Sequence, residues 1–305
     1  MIYTCTMNPS VDYKIKTDDL KLNRLNRFNT LSFIAGGKGI NVSIILTNLG
    51  EENKAIAFLG GFTGLFIKEE LKKKNVDLIE IPIDETTRMN VKIKALDSET
   101  ELNHIGPSIH HSDFDKLIHI LSSLEAKDTL IVGGSGLDSI PDAYHQIAEL
   151  CKDRHINFVM DTPGRYINEY ISYNPLLVKP NLDELEECFS VKMNTLEEII
   201  LYGKKVIENG AKNLIISLGS EGSIFINKDF IYQAMPINGE ILSTTGAGDS
   251  MVAGFIYEYQ KNQNILDSFK FAVAASAATV FEETLATKDN ILKYLDKVII
   301  KEIIC

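Results

Sequence analysis

Short apolar runs alternate along the chain with segments of helical period. Residues 129–134 and 213–219 contain apolar residues at successive positions, and the segment from Lys38 to Leu49, which Gly50 ends, has helical spacing. Continuous apolar runs are typical of strands that helices cover on both faces. The pattern therefore predicts an α/β fold with a mainly parallel, doubly wound sheet, whose ligands bind at the carboxyl ends of the strands. In chain order, the predicted strands are 2–6, 54–60, 129–134, 156–161, 175–180 and 213–219, and the predicted helices are 38–49, one ending near 74, one near 141–152, one from 182, one ending at 209–210 and a helical region at 247–283.

Two segments, 11–17 and 88–95, instead alternate strictly between apolar and polar residues. Such alternation is typical of half-exposed strands. We expect them to form a small sheet, within about 11–32 and 87–104, that lies over the site as a lid and offers its apolar face to another subunit as a homodimer interface. The alternative is that they are ordinary edge strands of the main sheet.

Composition limits the classes of function. The chain has 305 residues, 45% of them hydrophobic and 24% charged, which suits one large domain spanning 1–305 with a sizeable core. The net charge of −11 argues against nucleic acid or an anionic membrane as a partner, because the field of the protein repels both. An anionic small substrate then needs local cations.

Cysteine usage and hydropathy point to the cytoplasm. The four cysteines show no CxxC or Cys/His spacing, so neither a disulfide framework nor a zinc site is indicated. The first residues reach Asn8 and Asp12 before an apolar signal core forms, and no apolar run approaches the roughly 18 residues of a membrane span. We therefore expect a cytoplasmic protein without a membrane-spanning segment.

The segment from Ser243 to Gly254 carries the first candidate chemistry, because the small residues of GAGD lead directly into a helical pattern. A helix start leaves N–H groups unpaired and carries partial positive charge, so it attracts phosphate oxygens. Asp249 beside such amides can act as general base for phosphoryl transfer to an alcohol. The alternative is a plain helix entry in which Asp249 is a first-turn carboxylate stabilised by the macrodipole.

Two further segments can bind an anion and a sugar. Glycines surround Lys38 just before a helix, so amides and an ammonium can converge on an anion, although the Walker A spacing is absent. Asn8 and Asp12 follow the first strand, where an amide and a carboxylate can bind vicinal hydroxyls. The alternatives are a glycine turn with a solvated lysine and a simple Asn-Pro turn.

These segments, taken in order, resemble the motifs of the ribokinase-like (PfkB) carbohydrate kinase family. The motifs are NPSVD at 8–12, AGGKGIN at 35–41, GGFTG at 60–64, TTRMNVKI at 86–93, VKPNLDEL at 178–185, SLGSEG at 217–222 and GAGDS at 246–250. The resemblance spans almost the whole chain. It implies a Rossmann-like three-layer αβα sandwich with a mainly parallel central sheet and a small β-sheet lid, ATP as phosphoryl donor and Mg²⁺ as the ion.

The resemblance also implies roles for individual residues. Asp249 is implied as catalytic base, with the amides of Gly246, Ala247 and Gly248 as the anion hole. For the sugar phosphate it implies hydroxyl contacts by Asp12 and Asn41, close approach of Gly37 to the ring, phosphate contacts by Lys38 and Arg88, and a substrate contact by Ser135. For the nucleotide it implies Lys179, Asn181, Glu184, Ser217, Gly219, Ser220, Glu221 and Gly222, with Glu184 organising Mg²⁺ through water.

Alternatives remain for several of these residues. Asn181 and Glu184 also have the spacing of a helix cap with an acidic first turn, a role compatible with the first. Arg88 can be a surface arginine on a polar strand face. The loop 133–141 departs from the family's GSLP-like sequence, which puts its stiffness and the sugar selectivity in doubt.

Within the family, TRMNVK most resembles the kinases of fructose 1-phosphate, and AGGKG is shared with those of tagatose 6-phosphate. The resemblance implies phosphorylation of D-fructose 1-phosphate at O6. The alternatives are a kinase acting at O1 of tagatose 6-phosphate or fructose 6-phosphate, and a non-catalytic sugar-phosphate sensor, although the base and the glycines are intact. A dinucleotide-dependent oxidoreductase is disfavoured because no GxGxxG follows the first strand.

Overall fold

The computed structural model describes residues 1–28, 30–96 and 98–304. The strands in these residues are β1 Ile2–Thr6, β2 Ser10–Lys16, β3 Thr30–Gly36, β4 Asn53–Leu59, β5 Asp77–Pro82, β6 Arg88–Lys94, β7 Glu99–Asn103, β8 Thr129–Gly133, β9 Asn157–Asp161, β10 Leu177–Val178, β11 Asn213–Ser217, β12 Ser223–Asn227, β13 Ile231–Ala234 and β14 Ile300–Glu302. The helices are α1 Lys38–Asn48, α2 Gly61–Lys73, α3 His111–Leu121, α4 Ala143–Asp153, α5 Ile167–Tyr170, α6 Leu182–Phe189, α7 Leu196–Glu208, α8 Ala247–Asn262, α9 Ile265–Val280 and α10 Lys288–Leu295.

The main sheet has ten strands in the order β14-β13-β12-β11-β10-β9-β8-β1-β4-β5. Neighbours from β11 through β5 are parallel, and the pairs from β11 to β14 are antiparallel. The sheet is therefore mainly parallel, as the apolar runs predict. Its antiparallel edge follows from the short connections between β11, β12 and β13, which leave no room for a crossover helix.

Side chains that alternate along each strand enter cores on opposite faces of the sheet. On β8, Leu130 and Val132 pack with helices α3 to α7, and Ile131 packs on the other face with α1 and α8 to α10. Helix α2 joins α1 on that second face through Ile67 and Leu71. Both faces are covered, which explains why these strands are apolar at successive positions and confirms the three-layer α/β prediction.

A second, four-stranded sheet has the order β3-β2-β6-β7. It is separate from the main sheet, so the alternative that these strands are edge strands of the main sheet is wrong. Strand β3 continues to Gly36 and thus leads directly into α1. The expected lid ranges include Asn29 and Asp97, which lie outside the described residues.

Several elements differ from the sequence prediction. The helical region 247–283 is two helices, because Gln263 takes a left-handed conformation with φ 52° between α8 and α9. The run 175–180 forms only the two-residue strand β10, since its prolines have no N–H for the ladder. The sequence analysis does not predict β5, α3, α5, β12, β13, α10 and β14; of these, β12, β13 and β14 form the antiparallel edge.

Candidate active site

Helix α8 begins at the expected glycine turn. Gly246 has φ 84°, which favours glycine, and the helix has no side-chain cap. The first amide, that of Ala247, donates to the Thr244 carbonyl at 3.3 Å, whereas helical bonding begins when Ser250 N donates to Gly246 O at 2.9 Å. The amides of Gly248 and Asp249 lie between these bonds. They belong to the first turn, whose N–H groups have no intrahelical acceptor and can face an anion.

Asp249 is buried in the first turn of α8, and its Oδ2 accepts a hydrogen bond of 2.7 Å from Asn41 Nδ2. Burial and the negative charge of Asp161 together raise the pKa of Asp249 to about 6, against the opposing effects of Asn41, Lys38 and Lys179. A carboxylate with this pKa is largely ionised at neutral pH and is a better proton acceptor than an exposed aspartate.

Two lysines converge on Asp161, which ends β9. Lys38 Nζ lies 2.8 Å and Lys179 Nζ 3.3 Å from Asp161 Oδ1, and all three groups line one cavity. Burial raises the pKa of Asp161, but Lys179 and Lys38 lower it by more, so the carboxylate stays charged. Lys179 also lies beside the start of α8, because a Cβ added to Gly248 would be 3.0 Å from its Nζ. The cluster places two cations next to the amides of α8.

Asn181 and Glu184 form the helix cap that the sequence offers as their alternative role. The Asn181 side chain accepts from Glu184 N at 2.7 Å, and Glu184 Oε2 accepts from Asn181 N at 2.9 Å. The other oxygen, Oε1, is 3.4 Å from Lys38 Nζ. The capping box fixes Glu184 with one oxygen directed to the lysine cluster, so the cap and a role at the site coexist.

A cavity of about 650 Å³ extends from this cluster across the carboxyl ends of β10 and β11. Of the residues predicted for the nucleotide, Lys179, Asn181, Glu184, Ser217, Gly219, Ser220 and Gly222 line it, together with Gly246, Ala247, Gly248 and Asp249. Glu221 is exposed and is not among the lining residues. The opposite wall comes from the Ala-rich helix α9 and from residues 235–239, a segment that sequence analysis did not assign. The cavity has the size of a nucleotide site.

The second sheet carries a polar face beside the entry to α1, where a Cβ added to Gly36 would be 3.0 Å from Ser10 Oγ. The register pairs Asp12 with Asn90 and Ser10 with Arg88. Asp12 Oδ1 accepts from Ser10 Oγ and from Asn90 Nδ2, both at 3.0 Å, and Lys92 Nζ is 3.6 Å from Asp12 Oδ2. Asp12, Ser10 and Asn90 are buried. A buried polar strand face with few apolar contacts is suited to a hydroxylated ligand.

Arg88 begins β6 at the edge of this polar face. Its Nη1 donates to the His104 carbonyl at 3.1 Å, and its Nε is buried without a partner among the described residues. Burial lowers the pKa of Arg88, with Asp12 opposing the shift. An N–H group buried without an acceptor is costly, and an anionic ligand would satisfy it.

Gly37 and Ser135 flank the start of α1. Gly37 has φ 130°, and a Cβ there would be 2.6 Å from Thr6 Cγ2, so the tight turn into α1 requires glycine. Ser135 follows β8, where a Cβ on Gly133 would be 2.9 Å from Lys38 Cβ. The structure thus brings the loop of Ser135 next to α1, on the same edge of the sheet as Asp249.

Sequence analysis missed three polar residues of the site. Asp161 ends a buried strand, which is the position where α/β folds bind ligands, so an acid after INFVM is a usable signal. Ser10 and Asn90 could be found only from the register between β2 and β6, because 80 positions separate them in the sequence.

Residues 1–28, 30–96 and 98–304 contain no group of three or more His, Cys, Asp or Glu side chains that could hold a metal ion. Across the same residues, no helix combines the length and the apolar content needed to cross a membrane. Cys5 and Cys151 are buried, Cys188 is half-buried, and Cys305 lies outside the described residues.

Comparisons with known proteins agree with this geometry. The family model for pfkB family carbohydrate kinases matches residues 5–290. A 1-phosphofructokinase from Borreliella burgdorferi is 40% identical over 99% of both chains, and a D-tagatose-1-phosphate kinase from Bacillus licheniformis is 31% identical over 93% of this chain and 94% of its own. The crystal structure of phosphofructokinase-2 from Escherichia coli in complex with substrates and products has a TM-score of 0.90 at 26% identity, covering 97% of this chain and 98% of that one. The chain belongs to the pfkB family of carbohydrate kinases.

Proposed function

We propose that the protein transfers the γ-phosphoryl group of ATP to O6 of D-fructose 1-phosphate, giving fructose 1,6-bisphosphate and ADP. The observation that carries the proposal is the position of Asp249, a buried carboxylate of raised pKa between a nucleotide-sized cavity and a polar sheet face. The similarity to a 1-phosphofructokinase over nearly the whole chain supports the choice of sugar phosphate.

ATP is proposed to occupy the cavity with its phosphates toward α8. Small residues on two walls of the cavity support this placement. They leave space for a ribose and a flat base, and they are Gly219 and Gly222 on the β11 side and Ser276 and Ala277 on α9. Gly222 has φ 91°, and a Cβ there would be 2.1 Å from the Ala234 carbonyl. The amides of α8 and the ammonium of Lys179 then meet the transferred phosphoryl group.

The residues at the phosphate end of the cavity fit a Mg²⁺ ion. Asp161 Oδ2 is buried without a partner among the described residues, and Glu184 offers a second carboxylate. Two carboxylates without a larger ligand cluster suit Mg²⁺, which retains water and takes phosphate oxygens. We propose that Asp161 and Glu184 hold it, Glu184 through water. When bound, the ion neutralises charge on the phosphates.

In the proposed reaction, Asp249 accepts the proton of the attacking primary hydroxyl. The hydroxyl oxygen forms a bond to the γ-phosphorus, the bond from that phosphorus to the bridging oxygen breaks, and ADP leaves with the bonding electrons. Asn41 holds the Asp249 carboxylate in place through its 2.7 Å hydrogen bond. The first amides of α8 and the nearby lysine stabilise the charge on the transferring group.

The sugar phosphate is proposed to lie against the polar face of the second sheet. Asp12 and Asn41 bind hydroxyls, Gly37 lies against the ring, and Arg88 binds the phosphate through its fork of donors. Lys38, which the sequence assigns to the substrate phosphate, is ion-paired with Asp161 and Glu184. It is therefore proposed to contact the phosphoryl group in transfer.

A second candidate substrate is D-tagatose 1-phosphate, which the similarity to a kinase of that sugar favours. It carries its phosphate at the same end as fructose 1-phosphate, so Arg88 and Asp249 would keep their roles. A kinase that attacks O1 of a 6-phosphorylated ketohexose requires the opposite orientation of the sugar. A non-catalytic sensor requires no base, whereas Asp249 is present with a raised pKa.

An ADP-release assay across four sugars tests the proposal. We expect kcat/KM to be highest for fructose 1-phosphate, with tagatose 1-phosphate next and fructose 6-phosphate and tagatose 6-phosphate at least tenfold lower. A preference for either 6-phosphate would reverse the proposed orientation. Absence of ADP release with all four, while the sugar phosphates still bind, would favour the sensor.

We further propose that the chain is one kinase domain in which the second sheet is a lid that excludes water when it closes. The outer face of that sheet is apolar, and Leu31, Phe33 and Leu102 are between 45 and 60% exposed on it. We propose that two chains pair through this face. The cytoplasmic location remains a prediction from the cysteine content.

Sedimentation velocity tests the dimer. We expect a dimer at micromolar concentration that Phe33→Asp converts to a monomer, because an aspartate in an apolar interface lacks a partner. Leu201→Asp, on the exposed side of α7, is the matched control and should leave the dimer intact. A wild-type monomer, or equal dissociation by both variants, would contradict this interface.

A further inference from the structure

The loop 133–136 reads GGSG, and it must hold Ser135 against the sugar without a proline before Pro141. Gly134 has φ 105°, it has no side chain of its own, and an added Cβ would meet nothing within 4 Å among the described residues. A glycine-rich segment of this kind loses much conformational entropy on ordering. Its order must come from contacts outside the loop.

The backbone of Gly134 is held on both sides. Its N–H donates to the Asp161 carbonyl at 3.0 Å, and its carbonyl accepts from the Tyr144 hydroxyl at 2.7 Å. Tyr144 lies on α4 and is 1% exposed. Burial raises the pKa of Tyr144 well above its usual value, so its hydroxyl stays protonated and remains a donor. The ring of Tyr144 also packs against Tyr166 at 5.1 Å, and both rings contact Gly136.

The hydrogen bond from Tyr144 fixes the peptide that joins Gly134 to Ser135. This peptide is trans, so the N–H of Ser135 points opposite to the Gly134 carbonyl and therefore away from Tyr144 and its core. If the carbonyl were released, the peptide could rotate about ψ of Gly134 and φ of Ser135 and turn this N–H elsewhere. The Tyr144 hydroxyl therefore decides the direction in which Ser135 presents its N–H.

We propose that Tyr144 is a positioning residue for the sugar phosphate, acting through the Gly134–Ser135 peptide. The proposal rests on the proposed function, because it takes Ser135 as a contact of the sugar. Tyr144 touches neither the nucleotide cavity nor Asp249, so its effect should be confined to the sugar phosphate.

The test compares Tyr144→Phe with Tyr170→Phe. Tyr170 is equally buried in the same aromatic cluster, but its hydroxyl pairs with Thr162 Oγ1 at 2.8 Å and does not contact the loop. We expect Tyr144→Phe to raise KM for fructose 1-phosphate about five- to tenfold, which is the range for loss of one hydrogen bond. The KM for ATP and kcat should change less than twofold, and Tyr170→Phe should leave all three constants near wild type.

An unchanged KM for the sugar phosphate, an equal rise for ATP, or an equal effect of Tyr170→Phe would overturn the proposal. Hydrogen exchange distinguishes failure of the Tyr144 proposal from failure of the proposed function. If the wild type phosphorylates none of the ketohexose phosphates, the proposed function fails. The hydrogen-exchange rate of the Ser135 amide still tests whether Tyr144 orders the loop. Faster exchange of residues 134–136 in Tyr144→Phe alone supports it, and equal exchange in all three proteins overturns it.

Discussion

The two halves of the active site meet at Asp249 and are built differently. On the nucleotide side, the site consists largely of backbone: the start of α8 at Gly246, the turn at Gly222 and the capping box of Asn181. On the sugar side it consists of side chains on adjacent strands, with Asp12 held by Ser10 and Asn90. In the proposed function, the first half binds phosphates, for which a set of backbone N–H groups suffices, and the second half must distinguish the hydroxyls of the sugar.

The charges of the two halves differ as well. The nucleotide side concentrates Lys38 and Lys179 around the buried Asp161, where low polarity makes each charge effective. On the sugar side Lys92 is ion-paired with Asp12 and Glu101, and Arg88 Nη1 donates to the His104 carbonyl. Within a chain of net charge −11, both halves therefore supply local cations for anionic ligands. The difference suggests that catalysis depends on the first half and substrate choice on the second.

The largest expected effect comes from Asp249, where the halves meet. Asp249→Asn should lower kcat about 10³-fold, since general-base catalysis contributes roughly 10²–10⁴-fold, while the Kd for sugar phosphate stays within about threefold. Steady-state kinetics measures kcat, and isothermal titration calorimetry measures the Kd for the sugar phosphate. Asp267→Asn, in the first turn of α9, is the matched control and should be nearly neutral. Near-normal turnover of Asp249→Asn would mean that this carboxylate only stabilises the helix.

Arg88 tests the sugar half alone. Arg88→Ala should raise KM for fructose 1-phosphate about 10- to 100-fold, the range for loss of hydrogen bonds to a charged group, with a much smaller effect on free fructose. Arg88→Lys should reverse only part of this rise in KM, because an ammonium lacks the planar fork of donors of a guanidinium. Kinetics on both sugars measure this, with exposed Arg165→Ala as control. Equal effects on the phosphorylated and the free sugar would exclude a phosphate contact.

The same contrast explains what the sequence could predict. The nucleotide half lies within short motifs, so GAGD, NLDE and SLGSEG could each be recognised locally. Of the site residues predicted from these motifs, all but one line a single cavity. Glu221 is the exception, because the turn at Gly219–Glu221 directs it to solvent. The apolar runs likewise predict the three layers, since burial on both faces leaves a local pattern.

The sugar half could be predicted only in part. Asp12 and Arg88 stand in motifs, but Ser10 and Asn90 act through a register between strands that the sequence does not contain. One face of the second sheet carries the buried Ser10, Asp12 and Asn90, and the other carries the exposed Leu31, Phe33 and Leu102. Alternation along the strands alone does not predict which face is turned to a ligand. On the nucleotide side, the ion pairs of Asp161 could not be predicted either, because they depend on tertiary contacts with Lys38 and Lys179.

The electrostatic link between the halves predicts the pH dependence. Because the pKa of Asp249 is raised to about 6, kcat/KM should fall about tenfold per pH unit below that value, as the base becomes protonated. In Asp161→Asn the acid limb should move to lower pH, since the variant removes a negative charge that opposes ionisation and frees two lysines that favour it. The substrate ionises equally in both proteins, so the difference between their pH profiles reports on the enzyme. An unchanged midpoint would mean that Asp161 does not act on the base.

The smallest expected effect concerns Asn90, which donates a hydrogen bond to Asp12 and has no assigned contact with the sugar. Asn90→Ala removes the 3.0 Å bond to Asp12 Oδ1 and leaves one bond from Ser10, so KM for the sugar phosphate should rise about three- to tenfold with kcat nearly unchanged. Asn103→Ala, in the neighbouring register position on β7 and exposed, should have no effect. A fall in kcat as large as the rise in KM would show that the strand register also positions the attacking hydroxyl. In that case both halves would contribute to kcat, and substrate binding would not be confined to the sugar half.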